Sequence, residues 1–96
     1  MGTPALTLEI LSPSTKTKDV IYKLNTFMTS GVSEYWIVDP DTRKITIYSF
    51  IDYRVDKMET YKNGETASSE IFEGLTVNID DLFDTLNIFN HPMPDD

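Results

Sequence analysis

The chain has 96 residues, 40% of them hydrophobic and 25% charged, with 16 acidic side chains against 8 basic ones and a formal net charge of −8. That length supports one small core and excludes a second domain, and the absence of cysteine excludes a disulfide framework, a thiolate nucleophile and a zinc site built on sulfur. The acidic balance repels nucleic acid at long range and excludes a general electrostatic footprint for it, although an acidic cluster masked by divalent cations escapes that argument.

The first predicted element is a strand over 5–11. Its run Ala5-Leu6-Thr7-Leu8-Glu9-Ile10-Leu11 is apolar, carries Thr7 and Glu9 on one alternate face, and is bounded by Pro4 and Ser12-Pro13. Ser14 or Thr15 is then placed to cap a helix. Val20, Ile21, Leu24, Phe27 and Met28 fall on one face at 3.6-residue spacing, which predicts a helix over 16–29 ended by Ser30-Gly31. Residues 35–38 form a short β-rich run, Asp39-Pro40-Asp41-Thr42 is turn chemistry, and 44–50 alternates with period two, so this pair reads as a hairpin.

A further strand is predicted over 53–61, turning at Asn63-Gly64 and returning over 67–72, because Asn-Gly favours the positive φ angles of a tight hairpin turn. Residues 74–77 lead to a short helix at 80–86. Residues 87–96 lack periodicity and are expected to form a flexible tail, leaving a single domain over 4–86. The class is mixed α/β: a strand-helix-strand unit, right-handed by the chirality rule, followed by antiparallel strands. No stretch approaches the roughly 18 apolar residues of a membrane span. Met1-Gly2-Thr3 lacks the start of a secretory signal, so a cytoplasmic location is expected.

Glu9 is the residue that calls for explanation. A carboxylate at the end of an apolar strand is costly to desolvate unless a cation or donor meets it. Lys23 stands at the border of the helix's apolar face, where its stem can lie on apolar surface and its ammonium can reach the strand end. The alternatives are plain: Asp19 and Lys23, at i and i+4, can form a surface pair, and Glu9 can face water or accept donors at the helix start. Ser12 and Ser14 lack a histidine to activate them, so capping is favoured over nucleophilic catalysis. Tyr35 and Trp36 alternate on a strand, which places Trp36 in the core and Tyr35 on the surface or facing a substrate. Asp39 and Asp41 read as a turn, His91 as a solvated tail residue, and the carboxylates of 80–84 as a helix face lacking the spacing and central glycine of a calcium loop.

Taken in order, Pro4, Leu6, Glu9, Ser12-Pro13-Ser14-Thr15, Asp19, Lys23, Phe27, Gly31-Val32, Glu34-Tyr35-Trp36 and Val38-Asp39-Pro40 resemble the signature of the bacterial Uma-two family of restriction-endonuclease-like proteins, within the PD-(D/E)XK nuclease superfamily. The resemblance covers most of the chain and implies a restriction-endonuclease-like core, truncated at its N-terminus. It further implies metal-dependent phosphodiester hydrolysis, with Mg²⁺ or Mn²⁺ held by acidic groups, Glu9 among them, and Lys23 near the attacking water as a lysine relocated to the helix. DNA is the implied substrate.

This chain departs from the pattern in several places. Ala5 stands where the family has Asp, Phe27 where a tyrosine is common, and Leu11 where the superfamily's lysine usually follows the acid. Relatives also carry a stretch before this region with a further acidic residue. The expectation is therefore a catalytically incomplete endonuclease-like domain. The alternative is a noncatalytic module that forms a homodimer through an exposed sheet edge.

Overall fold

Alternating apolar side chains and an amphipathic helix demand a sheet covered on both faces, and that is the architecture found. The computed structural model describes residues 3–15 and 17–90. The elements run β1 (Leu6–Ile10), α1 (Thr17–Ser30), β2 (Glu34–Asp39), β3 (Lys44–Ile51), β4 (Arg54–Tyr61), β5 (Thr66–Ser68), β6 (Thr76–Asn78) and α2 (Ile79–Asn90). The main sheet has the order β1-β2-β3-β4, and β5 and β6 form a separate two-stranded sheet. β1 runs parallel to β2, with α1 as the crossover, and β2-β3-β4 are antiparallel. The strand-helix-strand unit and the hairpin around Asp39-Pro40 are thus as the sequence predicts.

Each face of the sheet has its own core. Val20, Leu24, Phe27 and Met28 of α1 pack on Tyr35, Ile37 and Phe50; Ile21, expected on the same face, lies at its edge and is exposed. On the other face Trp36, Val38, Ile45 and Ile47 meet Ala67, Ile79 and Phe83, so the β5-β6-α2 segment forms the second covering layer. α2 is capped by Asn78, whose Oδ1 accepts from the amide N–H of Asp81 at 2.9 Å. Arg43 braces it from outside, with its guanidinium 5.5 Å from the centre of the Phe83 ring and paired with Asp84 at 3.0 Å.

Three expectations are corrected. First, β5 pairs with β6 and not with β4. A tight type I′ turn needs positive φ at both central residues, and in Asn63-Gly64 only Gly64 has it (φ 84°), so the chain turns without folding back on β4. The two-residue hairpin turn lies instead at Asp52-Tyr53, both at positive φ (52° and 63°) and closed by the Ile51–Arg54 pair. No glycine marks it in the sequence. Second, the hydroxyls of Ser12, Ser14 and Thr15 are engaged within their own turn, with Thr15 Oγ1 accepting from the Ser12 N–H at 3.1 Å. Among the described residues α1 spans Thr17–Ser30. Third, α2 continues to Asn90, four residues into the expected tail; His91 and the rest of that segment lie outside the described residues. Among the described residues no helix is long and apolar enough to cross a membrane.

Candidate functional site

Strand phase decides where Glu9 points. Leu11 of the same alternate set packs into the α1-side core, and strand side chains alternate between faces, so Thr7 and Glu9 face α1 as well. Directly across the parallel ladder from Glu9 stands Ile37, and from Thr7 stands Tyr35. The Tyr35 phenol reaches diagonally along the sheet and donates to Glu9 Oε1 at 3.0 Å. Lys23 comes from the flank of α1 and pairs with the other oxygen, Oε2. The two predicted site residues are thus brought together, from neighbouring elements, as the need to satisfy a half-buried carboxylate requires.

Their surroundings differ. The Glu9 side chain retains 20% exposure and that of Lys23 46%, whereas Tyr35 is fully buried. The Tyr35 ring is held edge-on by Phe27, with centroids 4.9 Å apart, and lies 6.4 Å from the Tyr48 ring in a stacked arrangement. Burial, and after it the hydrogen bond to Glu9, push the Tyr35 phenol above its ordinary range, which keeps it a neutral donor. Tyr35 therefore does not face solvent or a substrate as the alternation suggests. Both Tyr35 and Trp36 are core because both faces of β2 are covered. Thr7 Oγ1, on the same face as Glu9, is buried with no hydrogen-bond partner among the described residues.

Glu34, which the sequence offers as part of the signature without a role, is a fully buried carboxylate. Its Oε1 accepts from Trp36 Nε1 and Ser69 Oγ, each at 2.9 Å, and its Oε2 from the amide N–H groups of Glu70 at 2.5 Å and Ile71 at 3.3 Å. Four donors converge on one side chain, which makes it the tie between β2 and the segment after β5. Of the remaining candidates, Asp39 Oδ1 accepts from the Asp41 N–H at 3.0 Å, the turn chemistry expected of it. Asp19 is exposed in the first turn of α1.

Among the described residues no three histidine, aspartate, glutamate or cysteine side chains gather where they would hold a metal ion. Mg²⁺ demands several oxygen ligands in near-octahedral geometry, and one carboxylate already receiving a phenol and an ammonium does not meet that demand. Position 5, where the resemblance calls for an aspartate, is alanine.

Comparison with known proteins follows the same lines. The model of the Uma2 family, described as putative restriction endonuclease, matches residues 1–80. Among solved structures, a putative nuclease belonging to DUF820 from Anabaena variabilis ATCC 29413 superimposes with a TM-score of 0.74 at 25% identity. The overlap covers 90% of this chain and 47% of that one, so the chain spans about half the length of that relative. No curated protein matches the sequence. The signature, the nuclease-like fold and a family match over most of the sequence agree, and the chain belongs to the Uma2 family of putative restriction endonucleases.

Proposed function

We propose that this chain carries part of a phosphodiester-hydrolysing site, with Glu9 as its acidic ligand and Lys23 as its cation, and that it is catalytically incomplete by itself. The observation that supports the reading is the meeting of Glu9 from β1 with Lys23 from α1 at one point, in a family described as putative restriction endonuclease. A lysine beside the reacting phosphate would stabilise developing negative charge. Mg²⁺ or Mn²⁺, which such nucleases use, would need carboxylates beyond the one present here, so no step of hydrolysis is assigned to this chain alone. DNA as substrate and a bacterial cytoplasm as setting belong to the same reading.

The test is Mn²⁺ titration of the isotopically labelled chain followed by paramagnetic broadening, beside a Glu9→Gln variant and with a DNA duplex assayed for cleavage. Weak binding centred on residues 8–10 and lost in Glu9→Gln is expected, with at most trace cleavage that disappears in both Glu9→Gln and Lys23→Ala. Binding or cleavage unchanged by these substitutions would refute the assignment.

A second reading, a noncatalytic module that dimerises through a sheet edge, is favoured by β1. It is an edge strand, and its Leu8 and Ile10 remain 52% and 51% exposed, an open ladder with apolar side chains that invites pairing. Sedimentation over a range of concentrations tests it: a dimer weakened by Leu8→Lys is expected, and a monomer throughout counts against it.

A further inference from the structure

The two partners of Glu9 are not equivalent, and that difference determines when the carboxylate is available. Tyr35 cannot withdraw from Oε1: it is fully buried, gripped by Phe27 and stacked with Tyr48. Lys23 can withdraw from Oε2, because its side chain is 46% exposed and its ammonium sits on a flexible four-carbon stem that water solvates readily. We infer that Lys23 closes Glu9: its ammonium and a divalent cation exclude one another at Oε2, while Tyr35 holds Oε1 as a positioning residue in either state. The lysine then does not help Glu9 to bind a cation; it stands in for one.

Electrostatics supports the exclusion. Two like charges sharing one carboxylate oxygen would lie within a few ångströms of each other in a partly desolvated place, where repulsion is far stronger than in bulk water. The inference deepens the reading above, because a Lys23 that has left Oε2 is free to face an anion. It stands apart from catalysis in its test.

Mn²⁺ titration, read by broadening of the amide signals of residues 8–10 and 35–37, separates the possibilities. Lys23→Met keeps the apolar stem and removes the charge. It should bind Mn²⁺ about two- to fivefold more tightly than the unaltered chain, the range set by the worth of an exposed ion pair. Lys23→Arg keeps the charge and should bind within about twofold of the unaltered chain. The gain in Lys23→Met should vanish in the Lys23→Met, Glu9→Gln double variant. If Lys23→Met binds no more tightly, or its gain survives loss of Glu9, the inference is overturned. Glu9-dependent binding without that gain overturns closure and leaves the nuclease reading intact. The gain accompanied by cleavage that survives both Glu9→Gln and Lys23→Ala does the reverse.

Discussion

Replacing Glu34 with glutamine removes one oxygen and one charge from a site that has four donors to satisfy. The amide oxygen can take the place of Oε1 and keep Trp36 Nε1 and Ser69 Oγ. The new NH₂ group must then face the N–H groups of Glu70 and Ile71, donor against donor. Each donor left without an acceptor costs about 1–3 kcal/mol. Glu70 and Ile71 are exposed enough for water to recover part of this, so a net loss of about 2–3 kcal/mol is expected. Against a total stability of about 5–14 kcal/mol for a domain of this size, that lowers the thermal midpoint by about 8–24 °C. Glu34→Ala, which strands all four donors, should be worse. Thermal and urea unfolding followed by circular dichroism measure both. A Glu34→Gln protein within about 0.5 kcal/mol of the unaltered chain would refute the claim that this carboxylate holds the segment after β5 to the sheet.

Two further outcomes follow from single side chains. Thr7→Val removes a buried hydroxyl that has no partner among the described residues and fills the same space, so urea unfolding should show a gain of about 1 kcal/mol; a loss of that size would mean the hydroxyl is bonded after all. At high pH the two tyrosines act together. The hydrogen bond Tyr61 donates to Glu59 at 2.6 Å is the main cause that raises its phenol from 10.0 to about 12, and Tyr35 is raised in the same direction by burial. In the window above 10 the unfolded chain gives up these protons and the folded chain keeps them, so the stability they contribute is complete below 10 and declines as pH rises through it. Urea midpoints measured across that window should fall, and Tyr61→Phe should flatten the fall; an unchanged slope would remove Tyr61 as its source.

The sequence was legible where one period dominated. The stripe Val20, Ile21, Leu24, Phe27 and Met28 announces α1, all but Ile21 being packed, and the alternation of Lys44 to Phe50 announces β3, because in each case burial of one face imposes the spacing. Glu9 and Lys23 were legible too: a charge on an apolar strand must find a partner, and the nearest element offered one. Legibility failed where the determining contact is remote in the chain. Asn63-Gly64 has the composition of a hairpin turn, yet β5 pairs with β6 and the segment after β5 is held by Glu34, and tertiary contacts prevail over turn propensity. The Asp52-Tyr53 turn was missed for the opposite reason: its residues accept positive φ without the glycine that would advertise it. The burial of Tyr35 is not legible in the sequence, because strand alternation fixes relative faces and says nothing of whether both are covered.

Glu34-Tyr35-Trp36 concentrates these lessons in three residues. Glu34 binds the segment that follows β5, Tyr35 anchors the Glu9 carboxylate on the α1 face, and Trp36 packs under α2 on the opposite face while donating back to Glu34. Consecutive positions on one strand therefore tie the second covering layer and the candidate site to the same stretch of backbone. A strand central to its sheet cannot shift by one residue without exchanging its faces, so the register that places Tyr35 beside Glu9 is enforced by the Trp36 core and the buried Glu34 hub behind it. The exposed side of the site is Lys23. Anchoring of the acid and exposure of the cation thus follow from one arrangement: the acid's partner Tyr35 lies inside the core and Lys23 lies outside it.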